Sequence, residues 1–102
     1  MAEPAPYRFT RAAQEDLRAI AAYGIPTFGA AQVVVYLTEL RAACSTLAAQ
    51  PNPGLACHGL LNRKRKVWRL RCGSHVIYYR IEKKCAVVIG VLHKSRLPRR
   101  HL

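Results

Sequence analysis

Residues Gly73 to His93 read GSHVIYYRIEKKCAVVIGVLH, two apolar runs parted by a short charged break, and no other stretch constrains the fold as much. Val76, Ile77, Tyr78, Tyr79 and Ile81 are β-branched or aromatic, and Val87 to Leu92 repeats that chemistry. Such side chains pack well on a pleated surface. Only Glu82, Lys83 and Lys84 separate the runs, so an antiparallel hairpin is the economical connection. Both runs are nearly continuously apolar, the pattern of strands covered on both faces. One cover is expected from the rest of the chain and the other from a partner.

Upstream of the hairpin the spacing becomes helical. Met1 to Pro6, with two prolines, reads as a frayed lead-in, and Tyr7 to Thr10 as a short extended segment able to pair with the hairpin. Thr10 suits a helix N-cap, with Glu15 and Asp16 near the positive helix end. A first helix is expected from Arg11 to Tyr23, with Ala13, Leu17 and Ile20 on its apolar stripe, stopped by Gly24 and Pro26. After a connector from Pro26 to Gly29, Val33, Leu37, Leu40, Cys44 and Leu47 mark the seam of a second helix ending before Pro51. So short a connector makes the helices antiparallel, and their stripes need a sheet to pack on.

Pro51 to Gly54 is a turn-rich link from helix to strand. Gly59 to Asn62 reads as a short strand and Arg63 to Lys66 as a basic loop. In VWRLRC, Trp68, Leu70 and Cys72 face one way and Val67, Arg69 and Arg71 the other. Gly73 turns the chain into the hairpin, and Lys94 to Leu102 reads as an extended basic tail. The expected fold is α+β: an N-terminal strand and an antiparallel helical hairpin packed on a three- to four-stranded antiparallel sheet.

The chain has 102 residues, the size of one domain, and 51% of them are apolar. Its net charge of +12 is unevenly placed, because residues 1–54 carry four basic and four acidic side chains whereas residues 55–102 carry thirteen basic ones against Glu82. The excess therefore lies with the sheet and tail, where it attracts phosphates or an acidic protein. No signal peptide or membrane-length apolar run is evident, which points to the cytoplasm. Cys44 and Cys72 read as small core residues. Cys57, His58, Cys72 and His75 could be drawn as a metal set, but they lack paired ligand spacing, and neither metal nor cofactor is implied.

Several residues, taken in order, resemble the ParE branch of the RelE/ParE toxin superfamily. They are Tyr7-Arg8, Ala13, Asp16-Leu17, Ile20, Tyr23, Gly29, Gln32, Tyr36, Leu40, Gly73-Ser74-His75-Val76, Tyr79-Arg80, Val91-Leu92-His93 and His101-Leu102. The likeness spans about residues 7 to 102. Two departures are Phe28, where relatives often carry tryptophan, and Ser95-Arg96-Leu97, where ParE relatives tend to run Arg-Met-Asp. The resemblance implies the toxin of a type II toxin–antitoxin pair that poisons DNA gyrase without being an enzyme. It also implies a ParD-like antitoxin that neutralises the toxin in a hetero-oligomer, with operator DNA reached only through that antitoxin.

On this reading Trp68, Arg69, Arg71, Tyr78 and Arg80 are candidates for antitoxin binding. His93, Lys94, Arg96, Arg99 and Arg100 are candidates for target binding. The alternative within the superfamily is a RelE-like ribosome-dependent mRNA endoribonuclease, which needs cations at the developing phosphorane and an acid or base near the 2′-hydroxyl. Arg69, Arg71, His75 and Lys94 would be its catalytic set, yet His75 stands where such nucleases place an arginine, and the tail carries no tyrosine. A small basic nucleic-acid-binding module is the third reading. It lacks a helix basic along one face and aromatics interleaved with arginines on an exposed strand.

Overall fold

The computed structural model describes residues 7–47, 55–56 and 66–96. Strand β1 (Tyr7–Phe9) leads into helices α1 (Arg11–Phe28) and α2 (Ala30–Thr46). Strands β2 (Leu55–Ala56), β3 (Trp68–Cys72), β4 (His75–Glu82) and β5 (Cys85–His93) follow. The sheet order is β1-β5-β4-β3-β2. Strands β2 to β5 are antiparallel, while β1 lies parallel to β5, so the sheet is mixed rather than wholly antiparallel. A strand that enters a helical hairpin before its neighbour has been made can return in the same direction, and β1 does so.

Thr10 caps α1: its Oγ1 accepts the Ala13 N–H at 3.2 Å, and its own N–H donates to Val88 O at 3.0 Å, carrying the β1–β5 ladder up to the helix. Glu15 and Asp16 lie beyond the first turn. The helix does not stop at Tyr23. It runs through Gly24 and Pro26 to Phe28, and the connector shrinks to Gly29 at φ 90°. Packing explains the difference. Gly24 is buried, and a Cβ there would stand 2.8 Å from Val33 Cγ2, so this glycine permits close approach of α2 rather than breaking α1.

The helical stripes meet one face of the sheet. Ala13, Leu17, Leu40, Cys44 and Leu47 pack with Ile77, Tyr79, Ala86, Val88 and Val91, and Trp68, Leu70 and Cys72 close the edge of this core. Burying each large aliphatic side chain contributes about 1.5–3 kcal/mol. Between Tyr78 and Tyr79 the register slips: Tyr78 faces Gly90 and Tyr79 faces Val88, leaving Ile89 as an extra residue on β5. Val88 and Val91, three apart, thereby join the same core, and Ile89 and Leu92 join the opposite face.

That opposite face overturns one expectation. Val67, Tyr78, Val87, Ile89 and Leu92 form a second cluster, none of them more than 6% exposed in the isolated chain. The far side of the sheet is already shielded, so the fold does not need a partner to cover it. The β4–β5 turn is tighter than its charged sequence suggests, with Lys83 and Lys84 at φ 49° and 64° between paired Glu82 and Cys85. This two-residue geometry favours Asn-Gly, and the lysines adopt it because the flanking strands dictate it. Gly59 to Asn62, expected as a strand, lies outside the described residues. At the start of the tail, residues 94–96 are turned rather than extended, with Arg96 N–H donating to His93 O at 2.9 Å, and residues 97–102 lie outside the described residues.

Candidate functional site

Register across the two turns builds one end of the sheet. Cys72 pairs with His75 across the Gly73-Ser74 turn, and His75 pairs with His93, so three chemically active side chains lie side by side on adjacent strands. The imidazoles of His75 and His93 meet edge to face with centroids 5.5 Å apart. Tyr36 of α2 reaches this row. Its Oη accepts the Ser74 N–H at 3.0 Å and stands 2.5 Å from His75 Nδ1 and 3.5 Å from Cys72 O. With Ser74 filling an acceptor position, the hydroxyl proton points to the nearest acceptor, His75 Nδ1, which places the imidazole proton on Nε2. Gly73 is at φ 60°, and a Cβ there would lie 2.8 Å from the Tyr36 ring.

Burial sets the electrostatics of this row. It lowers the His75 pKa below the ordinary 6.5, and His93 adds to the effect. It pushes the Tyr36 phenol up, partly opposed by the Ser74 N–H, and it raises the Cys72 thiol with help from Glu39. His93 instead anchors the chain beyond β5, with Nδ1 accepting the Ser95 N–H at 3.2 Å and lying 2.8 Å from Ser95 Oγ. On α1, the Asp16 carboxylate accepts the Val91 N–H at 2.9 Å, beyond the point where β1 pairing ends. Between the helical hairpin and this strand end lies a cleft of about 800 Å³, where Tyr23, Phe28 and Tyr36 face His75, His93 and Arg96. Tyr23 and Phe28 are 72% and 65% exposed at its mouth.

The other face of the sheet carries the strand arginines. Trp68, Leu70 and Cys72 pack on the helix side, so alternation puts Arg69 and Arg71 on the far side, where Arg69 faces Tyr78 and Arg71 faces Val76. Arg80, two residues beyond Tyr78, shares that side, and its Nη2 stands 2.9 Å from Glu82 Oε2. Arg71 is exposed and turns its Nε to Gly73 O at 3.2 Å. The Nε atoms of Arg69 and Arg80 are shut off from solvent and make no hydrogen bond.

The candidate sets are thus redistributed. Arg69, Arg71 and Arg80 share one face of the sheet, with Arg71 level with Val76 and so four residues along from Arg80; Tyr78 on that face is only 3% exposed, and Trp68 lies on the opposite, helix-facing side. His75 is also on the helix side, so the four residues of the nuclease alternative do not converge: the sheet separates Arg69 and Arg71 from His75. His93, Lys94 and Arg96 cluster, exposed, at the end of β5, whereas Arg99 and Arg100 lie outside the described residues. Cys57 and His58 also lie outside them, and among the described residues no three potential metal ligands converge. The roles of Tyr36 and Asp16 were not read from the sequence. One signal was available, a hydroxyl-bearing aromatic beside the Val33–Leu37–Leu40 seam.

Helices on one face of a mixed sheet, with a turned basic segment at the end of the last strand, define a class that the chain's likeness to known proteins makes specific. Residues 7–98 match the model of the ParE toxin of the type II toxin–antitoxin system, parDE, and the chain belongs to this family. Toxin ParE1 of Caulobacter vibrioides is 36% identical over 97 residues, covering 95% of this chain and 97% of the relative. Toxin ParE1 of Mycobacterium tuberculosis is 35% identical over 89 residues, covering 86% and 88% respectively. A solved structure of the chromosomal ParDE TA system from P. aeruginosa shares the fold, with a TM-score of 0.64 over 85% of this chain and 92% of that one at 15% identity. The chain is a ParE-type toxin. Among the described residues no helix is long and apolar enough to cross a membrane.

Proposed function

We propose that this toxin acts in the cytoplasm by binding DNA gyrase, without chemistry of its own, and that a ParD-like antitoxin neutralises it. Membership of the ParE family over nearly the whole chain supports the target and the antitoxin. The observation that carries the non-enzymatic part is the separation of Arg69 and Arg71 from His75 by the sheet. A general base on one face cannot serve a phosphorane held by cations on the other, because proton transfer needs hydrogen-bond reach. His75 is further committed to Tyr36, and its lowered pKa keeps it neutral near pH 7.

Docking on gyrase is assigned to His93, Lys94 and Arg96, together with Arg99 and Arg100, and the mechanism is capture of the enzyme's cleaved-DNA state. The turn held by His93 and Ser95 gives the start of this basic segment a defined direction. The antitoxin competes for an overlapping surface and draws on the positive charge of residues 55–102. Purified toxin should inhibit gyrase supercoiling and leave messenger RNA intact in a translation extract. Ribosome-dependent cleavage that disappears in Arg71→Ala would overturn this reading in favour of the nuclease. A peptide from the adjacent antitoxin should raise the melting temperature, since a ligand of the folded state alone must stabilise it.

A further inference from the structure

Residues 19–38 span the last turns of α1, Gly29 and the first turns of α2 without one charged side chain, in a chain where 22% of residues are charged. Tyr23, Ile25, Phe28, Val34 and Val35 all lie in this stretch, and each is at least 46% exposed. Helical geometry sorts them. Gly24 meets Val33 where the two helices touch, so Ile25 and Val34, one residue or about 100° further round, turn to one flank of the hairpin. On the other side of that contact Tyr23 and Gln32 line the cleft towards the sheet. Ile25 and Val34 therefore face away from the sheet, and Val35 continues their surface around α2.

On α2 the exposed positions Ala31, Val34, Val35 and Thr38 recur at the three and four steps of a packing seam, beside the buried seam of Val33, Leu40 and Cys44. The threonines do not spoil this surface. Thr38 Oγ1 donates to Val34 O at 2.7 Å and Thr27 Oγ1 to Tyr23 O at 3.0 Å, so both hydroxyls spend their protons inside their own helices and lose little when water leaves. Charge selects the occupant. The helices balance Arg11, Arg18 and Arg41 against Glu15, Asp16 and Glu39, whereas the sheet and tail carry the excess of the chain's +12. An acidic partner gains nothing at a flank without cations, but a second copy of this chain meets it with an identical neutral surface. Pairing flank to flank also sends the two positive sheets outward. Three layer-to-layer contacts of about 8–10 Å each hold them roughly 25–30 Å apart, beyond the Debye length of about 8 Å at physiological salt. Contact through sheet or tail would press like charges together.

We propose that the toxin pairs with a second copy of itself through this flank, α2 against α2 across a two-fold axis, with Ile25, Val34 and Val35 at the centre of the contact and Phe28 at its edge. An apolar patch of this make-up covers on the order of 300–600 Å², less than the roughly 800 Å² per partner of a standard interface. The dimer is accordingly weak and reversible, with a Kd of roughly 10–100 µM. It does not rest on the target or the antitoxin proposed above, and it leaves the sheet and the basic segment after His93 uncovered.

The test is sedimentation velocity of the full-length toxin over protein concentrations of about 1–500 µM. The weight-average mass should climb from that of one chain towards that of two. Raising the salt should strengthen the association, because the contact is apolar and only the outlying charges repel. Val34→Glu and Ile25→Glu each set a charge against its own copy and should weaken dimerisation roughly tenfold or more. Both positions are exposed, so the folded monomer survives the change, as circular dichroism will check. Ile81→Glu, at the exposed apolar residue on β4, should leave the dimer unchanged. A toxin that stays monomeric at the highest concentration overturns the pairing and leaves the flank to a different protein. A dimer that dissociates as salt rises, tolerates Val34→Glu or is weakened by Ile81→Glu overturns the interface assigned here. Neither gyrase nor antitoxin enters the measurement, so its result stands apart from theirs.

Discussion

Replacing Tyr36 with phenylalanine isolates the contribution of one hydroxyl to the strand-end cluster. The ring stays against Gly73, so packing is retained and no cavity opens. The two short interactions go, the Ser74 N–H acceptor at 3.0 Å and the partner of His75 Nδ1 at 2.5 Å, together with the long contact to Cys72 O at 3.5 Å. Ser74 is exposed, and water can replace its bond at little net cost. His75 is half-buried, and its nitrogen loses a partner that water reaches poorly, so the combined cost is about 2 kcal/mol. In a domain of this size that corresponds to a fall in Tm of roughly 10 °C. Urea denaturation should show a lower midpoint with an unchanged slope, because the unfolded surface is the same. The pH dependence gives a second readout. Since folding lowers the His75 pKa below 6.5, this residue's contribution is fully present above 6.5 and is lost as pH falls towards the folded value. The variant should keep the sign of that slope, because burial is the main cause. An unchanged urea midpoint would refute the hydroxyl's role, and stability rising as pH drops below 6.5 would refute the assigned direction of the shift.

Three further outcomes test the packing. Gly24→Ala, which would help an isolated helix by about 0.5–1 kcal/mol, should instead destabilise the protein in urea denaturation, because its Cβ meets Val33 Cγ2 at 2.8 Å. Asp16→Ala should cost about 1–3 kcal/mol by leaving the Val91 N–H unpaired, and Asp16→Asn, which retains an acceptor, should cost clearly less in the same assay. The Cys44 thiol, pushed up to about 12 by burial, should resist iodoacetamide at pH 8 in the folded protein and react once urea unfolds it, as followed by mass spectrometry.

The elements whose periodicity comes from burial on one face were legible in the sequence. Val33, Leu40, Cys44 and Leu47 make the α2 seam, Ala13 and Leu17 make the α1 stripe, and VWRLRC alternates as read. That alternation, combined with a two-residue turn at Gly73-Ser74, was enough to place His75 with Cys72 and away from Arg71, although the inference was not drawn from sequence alone. The cover of the far face is not legible in the sequence, since continuous apolar runs reveal that both faces are covered and not what covers them.

Sequence by itself therefore determined the element types, the core faces and the one-sided charge, because these follow from local spacing and from solvent's exclusion of apolar side chains. Tertiary structure decided the rest. Close approach of α2 makes Gly24 a packing position inside an α1 that runs on through Pro26, strand pairing imposes positive φ on Lys83 and Lys84, and the slip at Ile89 aligns Val88 with Val91. It also brings Tyr36 to His75 and leaves Arg69 and Arg80 with unpaired donors. Such features depend on groups distant in the chain and on which polar atoms lose water when those groups meet, and no local pattern records that.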